Sequence, residues 1–122
     1  MPTPHHLDLV ELRADDADAV RAARDFYTAA FGWSFTSYGD AYVDTDASGT
    51  VIGINGFADD RLQAAPLPVI YVPDLEATRD AVIAAGGRIL HDIYGFPGGR
   101  RLHFIDPAGN ELAAWSEDPD AA

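Results

Sequence analysis

The stretch "DPAGNELAAW", Asp106 to Trp115, reads as a turn running into a strand: Asp, Pro and Gly bend the chain, and the residues after them suit a pleated sheet. An echo of it, "DASGTVIGIN", runs from Asp46 to Asn55, so that the two leading aspartates stand 60 positions apart. A chain of 122 residues that says nearly the same thing twice is expected to hold two similar modules.

The repeat extends outward from these turns. "LDLVELRADD" (Leu7 to Asp16) and "LPVIYVPDLEA" (Leu67 to Ala77) are each a strand leading into an acidic helix start, with Asp16 and Asp74 58 positions apart. After the first, Val20, Ala23, Tyr27, Ala30 and Phe31 recur at helical spacing and Gly32 supplies a stop. After the second, Leu75, Arg79, Val82 and Ile83 do the same, with Asp74 as N-cap and Gly86-Gly87 as the stop. The first helix is expected to be about one turn longer. Three short strand-like runs follow each helix: "WSFTSY", "AYVDTD" and "TVIGING", then "RILHDIY", "RRLHFID" and "NELAAW". The reading is an α+β domain of two tandem βαβββ modules: module one at about 7–57, a linker at about 58–66 and module two at about 67–116.

Composition narrows the function classes. There is no cysteine, which removes disulfides, Cys-based zinc sites and thiolate nucleophiles. Twenty acidic against eight basic residues give a net charge of −12, a field that repels phosphate backbones and anionic headgroups. Nucleic acid and membrane are therefore not expected partners, whereas a cationic ligand would be attracted. The opening "MPTPHHLDLVEL" has no basic n-region or long apolar stretch, and no run approaches the ~18 apolar residues of a membrane span, so a cytoplasmic protein is expected. There is no nucleophile elbow, Walker loop or dinucleotide fingerprint. "GFPGG", Gly95 to Gly99, lacks the strand-to-helix setting that cradles phosphate and reads as a mobile loop.

"RDFYTAAFGW", "YGDAY", "GINGF", "VPDLEATRDAVIAAGGRIL" and "FIDPAGNELAAW", in this order and spacing, resemble the vicinal oxygen chelate superfamily: glyoxalases, bleomycin-resistance proteins and ring-cleaving dioxygenases. The resemblance covers about Leu7 to Trp115. It implies a curved mixed sheet from each module around a cavity, helices outside, and in many members a homodimer, often with exchanged modules. It also implies where a divalent metal would sit: a His or Glu on the first and fourth strand of each module. Those positions fall on Leu9, Gly53, Leu67 and Ala113, none of which offers a lone pair to a metal. No metal and no cofactor are therefore expected.

Candidate ligand-contacting residues follow from strand alternation. Leu7, Leu9, Glu11 and Arg13 share one face of the first strand, while Val10, Leu12 and Ala14 fall on the side a helix would cover. Glu11 and Arg13 either pair with each other or face a ligand, Glu11 then being the candidate catalytic base. On the last strand Glu111, Ala113 and Trp115 group together, as do Leu67, Val69 and Tyr71 on the first strand of module two. Trp33, Tyr42, Tyr71, Tyr94 and Trp115 offer flat π surfaces for an aromatic compound, though core packing is expected to claim about half of the aromatics. Asn55, which stands where Trp115 does in the echo, and His103 complete the ligand-binding set. His91, His103 and Glu111 would be a minimal metal set if their strands bring them together; His5 and His6 read as a solvated tail.

Two functions remain. One is a metal-free binding protein that sequesters or carries an aromatic or cationic compound, as a homodimer. The other is a lyase or isomerase of the same superfamily, acting without metal or with a displaced metal site.

Overall fold

The structure is a computed structural model and describes residues 2–57 and 66–117. The elements run β1 (Leu7–Arg13), α1 (Ala17–Phe31), β2 (Thr36–Ser37), β3 (Tyr42–Thr45), β4 (Val51–Asn55), β5 (Leu67–Tyr71), α2 (Leu75–Ala84), β6 (Arg88–Phe96), β7 (Gly99–Ile105) and β8 (Glu111–Glu117). This is an α+β chain in which strand, helix and three strands occur twice. The linker expected at about 58–66 lies, but for its last residue, outside the described residues.

The chain divides into two compact units, Leu9–Leu67 and Pro68–Ala122, with Met1–Asp8 grouping with the latter. In the first unit β3 pairs antiparallel with β2 and β4, and β1 lies parallel to β4 with Glu11 opposite Gly53 and Arg13 opposite Asn55. α1 is capped by the Asp16 carboxylate, which accepts the Ala19 N–H, and it ends at Gly32. Its apolar side closes over Leu12, Ala14, Val43 and Ile54. Glu11, Arg13, Tyr42, Gly53 and Asn55 alternate with those residues and so occupy the helix-free face.

The second unit repeats the plan. β7 pairs antiparallel with β6 and β8, and β5 is parallel to β8. α2 is capped by Asp74 and, at 10 residues against 15, is shorter than α1 by somewhat more than a turn. Its core is Val72, Leu75, Leu102 and Ala114, flanked by Ile70, Ile89, Ile93 and Phe104. The opposite face therefore carries Val69, Tyr71, Arg101, His103, Ala113 and Trp115. The N-terminal segment joins this unit through the His5 N–H to Tyr71 carbonyl bond at 2.7 Å.

The echo that opens the sequence has a direct structural counterpart. Gly49 and Gly109 adopt positive φ values of 93° and 94°, and each donates its N–H to the carbonyl of the leading aspartate, Asp46 or Asp106. Only glycine enters that conformation without strain, which explains its place in both turns. "GFPGG" differs from the expected mobile loop: Gly95 and Phe96 end β6, Gly99 begins β7, and the segment is a tight hairpin turn with Gly98 at φ 94°.

Candidate functional site

On the helix-free face of the first unit the side chain of Glu11 is buried, at 6% exposure. β3 and β4 supply its donors: the Tyr42 hydroxyl donates to Oε2 at 3.2 Å and the Asn55 amide to Oε1 at 3.4 Å. Asn55 in turn accepts the Phe57 N–H at 2.9 Å, which fixes its orientation. Three of the residues expected from sequence thus meet, because Glu11, Gly53 and Asn55 share a face across the β1–β4 pairing and Tyr42 is the register partner of Asn55. Gly53 is part of this arrangement. A methyl group at its Cα would overlap the Tyr42 hydroxyl and stand 2.9 Å from the Tyr42 Cζ and 3.4 Å from the Leu9 Cδ1. The Tyr42 side chain therefore fills the space in which a longer side chain at this fourth-strand position would lie.

Arg13 sits beside this group, opposite Asn55. Trp33 does not join it. Its ring stacks on Tyr27 at 5.4 Å and 15° and lies 5.6 Å from Phe31, so it packs with the aromatics of α1.

The helix-free face of the second unit has two adjoining parts. Tyr71 and Trp115 meet edge to face at 5.1 Å, and Phe96 lies 6.2 Å from Trp115. Carboxylates tether the polar ends of this pair: the Trp115 Nε1–H donates to Asp8 at 3.0 Å and the Tyr71 hydroxyl to Glu117 at 3.3 Å. Burial and the Glu117 charge push the Tyr71 phenol above its ordinary pKa. Arg101, the register partner of both Tyr94 and Trp115, places its guanidinium 5.6 Å from the centre of the Phe96 ring.

One row along the sheet, His103 is fully buried between Glu111, whose Oε2 is 2.9 Å from Nδ1, and the Tyr94 hydroxyl, 2.6 Å from Nε2. Burial drives the imidazole below its ordinary pKa, against the opposing pull of Glu111; the Arg101 and His91 charges push the same way as burial. The His91 ring stands edge-on to His103 at 5.0 Å. Ligand atoms of His91, His103 and Glu111 lie within 4.8 Å of one another, so the three residue types could share a cation.

Sequence reading did not single out Asp8, Phe96 or Arg101 as site residues. Arg101 precedes His103 by two, and alternation was the available signal. Asp8 and Phe96 enter through contacts that no local pattern specifies.

The profile of the Glyoxalase/Bleomycin resistance protein/Dioxygenase superfamily matches residues 6–114. Among curated proteins the chain is 26% identical, over 116 residues, to CFP32 of Mycobacterium bovis, which is provisionally named a glyoxylase. That alignment takes in 87% of this chain but 43% of CFP32, so the chain spans less than half the length of the curated relative. Among solved structures, a member of the same superfamily from Vibrio splendidus superposes with a TM-score of 0.65 at 14% identity, over 89% of this chain and 97% of that one. A Mn(II)-bound glyoxalase from Novosphingobium aromaticivorans gives 0.62 at 19%, over 95% and 40%. Likeness at this level of identity concerns the fold.

Proposed function

Since this chain belongs to the Glyoxalase/Bleomycin resistance protein/Dioxygenase superfamily, we propose that it binds a small aromatic compound, cationic or carbonyl-bearing, and sequesters or carries it without a metal at the superfamily's usual positions. The observation that carries this reading is Gly53. Its space is taken by Tyr42, which is bonded to Glu11, and Leu9 closes the other side. In the second sequence module the corresponding positions are Leu67 and Ala113, both buried and apolar. No carboxylate or imidazole is offered there.

The Tyr71, Phe96 and Trp115 rings supply the stacking surface, and Asp8 and Glu117 rim it with negative charge. The test is tryptophan quenching by planar aromatic cations and aryl ketones in a Trp33→Phe background, so that Trp115 alone reports. Trp115→Leu, followed by calorimetry, should cost about 1–3 kcal/mol of binding. Elemental analysis after dialysis should find well under one metal per chain. Unchanged affinity in the Trp115 variant, or stoichiometric metal, refutes the corresponding half of the reading.

The second reading, a lyase or isomerase, draws support from the bonds around His103 rather than from Glu11, whose two carboxylate oxygens are both engaged within the first unit.

A further inference from the structure

Glu111, His103 and Tyr94 form a hydrogen-bonded chain that ligand binding alone does not require. Glu111 as a carboxylate only accepts, so the bond at 2.9 Å fixes the imidazole hydrogen on Nδ1. Nε2 is then left as an acceptor, and the Tyr94 hydroxyl, 2.6 Å away, donates to it. Burial keeps the ring neutral, which is the state this assignment needs. Tyr94 is therefore a phenol hydrogen-bonded to a base that is itself oriented by a carboxylate. Register places it one strand from Arg101 and two from Trp115, in the row that holds the aromatic surface.

We propose that Glu111, His103 and Tyr94 are a proton relay, and that the Tyr94 oxygen exchanges a proton with a carbonyl compound bearing an acidic C–H, held against the Tyr71, Phe96 and Trp115 rings. The proposal goes beyond the binding reading and rests on it for the place of the ligand. In the forward step the C–H bond α to the carbonyl breaks and its proton passes to the Tyr94 oxygen while the phenol's own proton passes to Nε2. The C–H electron pair becomes the C=C bond of an enolate, and the carbonyl π pair moves onto oxygen. Glu111 holds the imidazolium, and Arg101, two residues before His103 on β7, is a positive charge close enough to be felt at His103. Return of a proton to carbon completes an isomerisation or an exchange with solvent, with no oxidant and no co-reactant. Tyr94 is the catalytic residue; His103 and Glu111 are positioning residues.

A cation shared by His91, His103 and Glu111 is the competing use of the same atoms. A four-coordinate site with bonds of about 2.1 Å has ligand atoms about 3.4 Å apart. The trio is bounded only by 4.8 Å, and both His103 nitrogens are already engaged in bonds of 2.6 and 2.9 Å. The relay uses the geometry as it stands.

The probe is 2-tetralone, a bicyclic aryl ketone with benzylic hydrogens beside its carbonyl, given to chelator-dialysed full-length protein in D2O. Loss of the benzylic signal is followed by proton NMR, and binding by tryptophan quenching. Exchange should be saturable, and Tyr94→Phe should lower it at least about a hundredfold with binding within threefold. Glu111→Gln should slow exchange and also move the acid limb of its pH profile. The groups facing His103 are Glu111 on β8, Arg101 on β7, and His91 and Tyr94 on β6; of these Glu111 raises its pKa. Losing that charge lowers the pKa and shifts the limb to lower pH, which a merely structural role would not do. Quenching without Tyr94-dependent exchange overturns the relay and leaves the binding reading standing; absence of quenching overturns both. Stoichiometric binding of added Zn2+ that Glu111→Gln abolishes assigns the trio to a metal and overturns the relay.

Discussion

Gly53→Ala tests the arrangement around Glu11 most directly. The added methyl overlaps the Tyr42 hydroxyl and lies 2.9 Å from its Cζ, with Leu9 at 3.4 Å on the other side, so the tyrosine ring has to move. Moving it breaks the 3.2 Å bond to the Glu11 carboxylate, which is 6% exposed and has little water to replace the lost donor. A hydrogen bond to a charged group is worth about 1.5–3 kcal/mol, and replacing Gly with Ala in a regular element returns about 0.5–1 kcal/mol. The expected net loss is about 1–2 kcal/mol, or a fall in Tm of roughly 4–8 °C for a chain of this size. Urea denaturation of wild type, Gly53→Ala, Tyr42→Phe and the double variant gives the coupling. Without the hydroxyl most of the overlap disappears, so Gly53→Ala in the Tyr42→Phe background should cost less by about 1 kcal/mol or more. Equal costs in the two backgrounds would refute the idea that Tyr42 occupies the Gly53 space by virtue of its bond to Glu11.

Asp74 accepts the Ala77 N–H at 3.0 Å at the start of α2, and Asp74→Ala should destabilise by about 1 kcal/mol in urea while Asp74→Asn stays near wild type. His103 has a depressed pKa in the folded state, so its contribution is fully present above the unfolded value of about 6.5 and is lost as pH falls from there toward the folded-state value. Urea midpoints should accordingly decline as pH falls below about 6.5; a midpoint that rises on that descent contradicts the assignment. Arg100 grips Glu76 with two bonds of 2.6 and 2.9 Å, and the carboxyl is pulled from 4.5 to about 2. NMR titration should return it to the ordinary range in Arg100→Met, with little change in stability because the carboxylate is exposed and the pair is screened. Light scattering at tens of micromolar should report a homodimer, and a monomer counts against that assembly.

The modular plan, the two caps and the paired turns are legible along the chain, because each is local. A 60-residue echo, an Asp before an apolar helix and a Gly at positive φ leave marks within a few positions of themselves. Alternation likewise placed Glu11 with Arg13, and Glu111 with Trp115, because period two is a property of any regular strand. It could not place His91. Counting along β6 puts His91 on the side of Ile89 and Ile93, which pack under α2. Register shifts on either side of it turn His91 to face His103, on the helix-free side of the strands that also carries Tyr94. Nor could spacing show that Trp33 belongs to the packing of α1 while Tyr42 reaches Glu11 across 31 residues. Whether a buried histidine stands alone or between a carboxylate and a phenol depends on pairing between strands. That pairing depends on the register between neighbouring strands, which turn geometry and bulges set together with each strand's own pattern.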